Sequence, residues 1–454
     1  MNKKNIKKFI STLLISIFVG GIPVIGSENR DIIFRNISIE DGLSQATVES
    51  ILQDSRGYMW FATNDGLNRY NGYNYKVYRK EKKSSKGLSN NYVAKLLEDK
   101  YGYIWVATYG GLNKIDVEND TITQYLHGED IGNLSSNSVN DMVITKDGRL
   151  LISTYNGIDI YNEEEDKFEP FTDVEENLKN KVVLSIMEDR EGYIWAGTEK
   201  GLDKLTSTGK RVNDFIYDDK YREATSKSVR RIHCDNDGLV WIGTYNDGLK
   251  VIDTVKKEIK EYRHNPDDIR SIPNNYVRNF LRDKDDNLWI CTGEGLAKYS
   301  EESNDFTTYS NTNSNERSII NDDTFTVYQD RGGLIWVGTY AGISVFDPNI
   351  KMDTYKKDDR LGSNTLSENV IHGIYEDKYG YLWVGTNSKG VNVINQKTNE
   401  IHHINTSTLN GFSNNSINVI TGYDNYVYVG TNNGLNIIDI DKNKVKVIDV
   451  DDGL

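Results

Sequence analysis

The sequence predicts an all-β protein, a β-propeller of four-stranded blades, with nine repeats visible in 454 residues. Three observations carry this prediction. A tryptophan-centred motif returns every 44 to 48 residues. Each repeat holds several short alternating segments separated by polar turns. No stretch reads as a convincing helix. Such a period, with about four strands per unit, is the spacing of propeller blades.

The template is Asp-x-x-Gly-x-x-Trp-x-small-Thr followed by Gly-Leu. Its anchors are Trp60, Trp105, Trp195, Trp241, Trp289, Trp336 and Trp383, with Leu151 and Tyr428 in the same slot of two further copies. A polar turn such as Leu88–Asn91 leads each unit, and an alternating strand such as 93–99 follows. The Asp-x-x-Gly step is then a tight hairpin, in which Asp accepts backbone N–H groups and Gly supplies positive φ. Asp286 and Asn425 stand in for that Gly and tolerate the left-handed region. The tryptophan strand should pack between neighbouring sheets. Small residues two places after it fit strands crowding toward an axis, and the Thr at the third place should satisfy a nearby backbone group. The two copies without Trp are expected to pack less tightly. Gly-Leu opens a third strand, such as 111–116, and a fourth follows, such as 121–126.

Natural rings mostly have four to eight blades, so nine equal units exceed one ring. Residues 33–38 read as an outer strand that completes the last blade of its ring, which removes an open edge. The expected organisation is a seven-bladed propeller over 31–350 and the first two blades of a second over 351–454. A single distorted nine-bladed ring is the alternative. The chain stops at Asp451-Asp452-Gly453-Leu454, and Asp41-Gly42-Leu43 leads the first unit, so a tenth unit is expected to start where the sequence ends.

Residues 1–27 read as a signal peptide or signal anchor: four lysines in 1–8, an apolar run over 9–25 interrupted by Pro23, then Gly26-Ser27. Either form sends the rest outside the membrane. The formal charge is -14, with 54 Lys and Arg against 68 Asp and Glu. That disfavours nucleic acid or an anionic membrane surface as the main partner. Hydrophobic residues are 37%, yet 29 Tyr, 12 Phe and 7 Trp argue against bulk disorder. Two Cys, Cys234 and Cys291, exclude a disulfide-rich scaffold and are expected as free thiols.

The six His fall at different positions of the repeat, with no metal-binding spacing, so neither a metal nor a cofactor is expected. The repeated Asp residues at Trp minus six suit a turn role, not a catalytic centre. Tyr109-Gly110-Gly111 lacks the lysine and the strand-to-helix context of a phosphate loop. A binding face is the better hypothesis. Loops between the second and third strands should share a face with the turns leading the first strand. The former carry Tyr109, Tyr155, Tyr245 and Tyr340; the latter carry Asn91, Asn137, Asn275, Asn369 and Asn415. Tyr rings offer stacking surface and Asn amides directional hydrogen bonds, which suits a sugar or polyol. Loop packing alone would also explain these tyrosines. Arg230, Arg231 and Arg278 lie near the same turns and suit an acidic group.

The segments at 41–72, 87–116 and 366–394 resemble the two-component regulator propeller family, and the resemblance covers about 33–454. It implies tandem propellers outside the membrane, followed by a β-sandwich, a membrane span and a cytoplasmic histidine kinase or diguanylate cyclase module. The chain would then be the extracytoplasmic ligand-sensing region of a signalling receptor, without catalysis of its own. Its partner would be a small molecule, an oligosaccharide or a protein, and the full receptor could be a homodimer. The alternative is a secreted propeller that binds protein or glycan as an adhesion or scaffold module.

Overall fold

Every repeat folds as its alternation dictates. In the computed structural model, residues 32–81, 86–128, 133–213, 225–312, 315, 317–350, 355–357, 364–442 and 444–454 are described. The leader at 1–27 lies outside them. The described chain divides into two compact units, Ile32–Ile350 and Lys351–Leu454.

The first unit holds seven antiparallel sheets, one per repeat. Blade 1 runs Val48–Gln53, Met59–Thr63, Gly66–Tyr70 and Tyr75–Tyr78. The innermost strands of blades 2 to 7 are Val93–Glu98, Val139–Ile144, Val183–Glu188, Val229–Cys234, Val277–Arg282 and Thr324–Gln329. Each packs on the next, and the first packs on the seventh. Blade 4 has three strands among the described residues. The fourth strand expected there falls partly on 214–224, outside those residues.

The outer strand of blade 7 comes from the other end of the unit. Arg35–Ile37 pairs antiparallel with Ile343–Phe346, Asn36 facing Ser344. The Ser344 hydroxyl donates to Asn36 Oδ1 at 2.7 Å, and Asn36 Nδ2 donates to the Ser318 carbonyl at 3.1 Å. Phe34 inserts beside Phe346, ring centroids 5.0 Å apart. The exchange covers an edge that would otherwise present unpaired backbone groups.

The core lies between blades. Trp60 packs with Leu96, Ile104, Val106 and Ile115 of blade 2. The same handover repeats round the ring and ends with Trp336 against Ile51, Met59 and Phe61 of blade 1. Leu151 was expected to loosen its blade, and here the structure differs. It is fully buried against Val183, Ile186, Ile194 and Ala196 of blade 4. A leucine fills the slot without an indole N–H that needs a partner.

Within each blade the motif residues fasten the backbone. All nine motif threonines, Thr63 to Thr431, donate to the carbonyl of the following motif glycine at 2.6 to 3.2 Å. Six of the motif aspartates accept two backbone N–H groups across the hairpin, as Asp54 does from Arg56 and Tyr58, and Asp330 accepts that of Leu334. Their other oxygen accepts the indole N–H of the tryptophan at 2.7 to 3.1 Å in all seven Trp blades. In blade 9 the left-handed turn residue is Asp424 (φ 52°), one place before the expected Asn425; Asp286 (φ 64°) stands where expected.

The second unit holds blades 8 and 9, with innermost strands Ile371–Glu376 and Ile417–Tyr423. They share a core around Trp383, Ile417, Val427 and Val429. Tyr428 is half-buried. Among the described residues one short α-helix, Val174–Asn177, and two 3-10 turns, Ile39–Asp41 and Val450–Asp452, depart from the expected absence of helix; Asp173 caps the α-helix by accepting from the Glu175 and Glu176 N–H groups. No helix among the described residues is long and apolar enough to cross a membrane.

Candidate functional site

The innermost strand of each blade carries one irregularity. In blade 1 the pairing register with the second strand jumps from Val48 to Ser50, so Glu49 has no partner. The same jump skips Ala94, Asn140, Leu184, Arg230, Arg278 and Phe325 in the other six. A bulge re-aims the extra side chain. All seven skipped residues line one cavity, which Tyr92, Tyr109, Tyr276 and Arg231 complete. The cavity marks the axis of the ring.

Its free space is about 40 Å³, room for a few waters and too little for a sugar ring. The side chains themselves fill the rest. The Tyr92 hydroxyl donates to Glu49 at 2.9 Å, and the Tyr92 ring stacks on Tyr109 at 4.4 Å. Burial pushes the Glu49 carboxyl above its ordinary range, against the pull of Tyr92 and of Arg230, Arg278 and Arg231. Arg278 pairs with Asp323 at 2.5 Å and lies over the rings of Phe325 and Tyr276, 4.1 and 4.4 Å from their centroids. Arg230 makes no ion pair or hydrogen bond among the described residues.

A polar tier follows, one residue further along each strand. Asp141 is its hub. Arg231 reaches it at 2.8 Å and Lys95 at 3.4 Å, and Ser185 Oγ donates to it at 3.0 Å. Burial raises the Asp141 carboxyl, but Arg231, Lys95, the Ile186 N–H and the Ser185 hydroxyl outweigh it and hold it below its ordinary value. Ser185 also accepts from the Ile232 N–H, and Asn279 donates to Thr326, so the tier ties adjacent blades together.

Of the residues picked out in the sequence, the structure brings Tyr109, Arg230 and Arg278 together in the cavity. Tyr155 stands on the rim, 6.5 Å from the Tyr109 ring. Tyr245 lies 4.7 Å from Tyr276 and is 60% exposed. Tyr340 is equally exposed, and its backbone N–H donates to the Asp323 carbonyl. The tyrosine loops and leading turns do share one face. The asparagines do structural work there. Asn91 accepts from the Lys80 N–H and donates to Asp65, while Asn137 and Asn275 accept from the His127 and His264 N–H groups.

Sequence reasoning missed Glu49, Tyr92, Tyr276 and Phe325. The seven bulge positions hold six residue types, so they leave no repeated signal; their place directly after the first residue of the innermost strand, a valine in six blades and Thr324 in the seventh, was the available clue. Cys234 and Cys291 are free thiols, and burial raises Cys291 to about 12. Among the described residues no group of His, Cys, Asp or Glu is arranged to hold a metal ion.

Comparison with known proteins agrees with this geometry. The family described as two component regulator propeller matches residues 42–65, 87–110, 133–156, 177–200, 224–246, 271–294 and 365–388. Seven of the nine repeats match the two-component regulator propeller repeat. Blades 1 to 6 and blade 8 each carry a matched repeat. The extracellular domain of the hybrid two component system BT3049 from B. thetaiotaomicron superposes with a TM-score of 0.74 at 25% identity, over 92% of this chain and 55% of that one. The extracellular domain of the one component system BT4673 from the same organism gives 0.54 at 21% identity, over 93% and 62%, a likeness of fold. Histidine kinase P4 of Formosa agariphila is 39% identical over 59 residues, 13% of this chain and 4% of that protein. The repeat chain thus spans little more than half of the first structural neighbour and a small fraction of the curated relative.

Proposed function

We propose that this chain is the extracytoplasmic ligand-sensing region of a transmembrane signalling receptor whose output module is a histidine kinase or a diguanylate cyclase. The observation that carries the reading is the likeness to the extracellular domain of a hybrid two component system over 92% of the chain, in a protein built of the matching repeats. The site adds support. A rim of exposed tyrosines around a polar axial cavity offers stacking surface and directional groups, as a binding site requires. On this reading the chain binds and does not catalyse, and a carbohydrate is the favoured ligand class. The leader at 1–27 directs export.

The test is the coding sequence downstream of codon 454. An open frame that continues through further repeats into a membrane span and a kinase or cyclase domain is the expected result. A stop codon directly after Leu454 would overturn the receptor reading and leave an exported binding module.

A further inference from the structure

The axial cavity carries a charge imbalance that the fold does not need. Its two tiers and Asp323 hold four cations, Lys95, Arg230, Arg231 and Arg278, against three carboxylates, Glu49, Asp141 and Asp323. Asp141 is shared by Arg231 and Lys95, Asp323 serves Arg278, and the Tyr92 hydroxyl occupies Glu49. Arg230 is left over. It is half-buried and sits at a bulge where it contributes nothing to the ladder; burial works against its charge, and Tyr276, Tyr109, Glu49 and Tyr92 outweigh it and hold its pKa up. Its guanidinium lines the cavity with neither an ion pair nor a hydrogen bond among the described residues, so its N–H donors are open to an incoming anion. This one stands in a chain of formal charge -14, so the excess is local and not a property of the surface.

Resting on the sensing reading above, we propose that Arg230, in the axial cavity beneath the tyrosine rim, is the contact for an anionic oxo group, a carboxylate or sulfate, carried on a sugar. Three features converge on that class. A guanidinium presents a planar fork of donors that matches two oxygens of such a group. The free space of about 40 Å³ admits the end of a ligand and not its body. The body then lies on the rim, where the rings of Tyr109 and Tyr155 offer the faces on which a pyranose stacks. A neutral sugar would bring no charge to pair with Arg230.

Isothermal titration of the full chain at fixed ionic strength tests this, with glucuronate, inorganic sulfate and glucose as probes. The variant is Arg230→Gln, which removes no hydrogen bond or ion pair of the described fold. Saturable binding of glucuronate, at least tenfold weaker in the variant, is the expected result, with an unchanged urea midpoint showing that the variant is folded. Sulfate binding as tightly as glucuronate would place recognition in the anion alone; tighter glucuronate would show that the sugar body contributes. Both agree with the assignment. Glucuronate binding that is equal in the two proteins, or an absence of saturation by either anion, overturns it. Glucose bound equally by both proteins would overturn the anion assignment while leaving the sensing reading intact, because the downstream reading frame decides that one separately.

Discussion

At the scale of single residues, one slot on the third strand shows how the same fastening can be made well or poorly. In blade 1 Asn68 accepts from the Ser44 N–H at 3.0 Å and donates to the Ser44 hydroxyl at 2.8 Å. Asn113 and Asn436 do the same in their blades. Blade 3 has Asp159 there, fully buried, accepting from the Ser135 N–H and hydroxyl. Burial outweighs those two bonds and the pull of His127, and lifts the carboxyl to about 6. The folded state therefore holds this proton more tightly than the unfolded chain. Stability from this site is full below about pH 4 and is lost as pH rises through 6. Asp159→Asn should stabilise the protein at pH 8 by on the order of 2–3 kcal/mol, with the gain vanishing near pH 4. Urea unfolding at the two pH values checks it; an equal effect at both would refute the titration argument.

Elements meet through the small residue two places after each tryptophan. A Cβ on Gly338 would stand 2.6 Å from the Val48 carbonyl and 2.6 Å from Thr326 Cγ2, and Val48 opens the innermost strand of blade 1. The slot is small because the next blade's first residue fills it. Gly338→Ala should destabilise the ring by about 1–3 kcal/mol through overpacking. Gly333→Ala serves as the comparison. It meets nothing within 4 Å but has a φ of 98°, so its cost is backbone strain alone, about 1–2 kcal/mol. Urea midpoints combined with protease susceptibility of the blade 7–blade 1 junction separate them, since only Gly338→Ala should open that junction. This level was largely legible in the sequence, because packing between identical neighbours imposes the same residue types on every unit. The pairing of Asp with the indole was legible too, and went unread. The two copies without Trp are the two without Asp, having Thr145 and Gly422 at that place. What the sequence concealed is the axis, where the seven blades supply six kinds of side chain and no period exists.

Across the molecule, closure depends on a segment of a few residues. Arg35–Ile37 supplies the outer strand of blade 7, and Phe34 joins the core of Trp289, Ile335 and Phe346. Deleting residues 33–38 should expose the edge of Ile343–Phe346 and empty the Phe34 site. Analytical ultracentrifugation should then show self-association, and the urea midpoint should fall. A monomer of unchanged midpoint would show that the exchange is dispensable. The bulges have a different consequence. Because each axial side chain belongs to a residue skipped by the ladder, exchanging it breaks no pairing between strands. Glu49, Ala94, Asn140, Leu184, Arg230, Arg278 and Phe325 form a heptapeptide dispersed over seven sheets, each letter standing outside its own ladder. A library confined to those seven codons would explore new chemistry at the centre of the ring while the scaffold around it stayed the same.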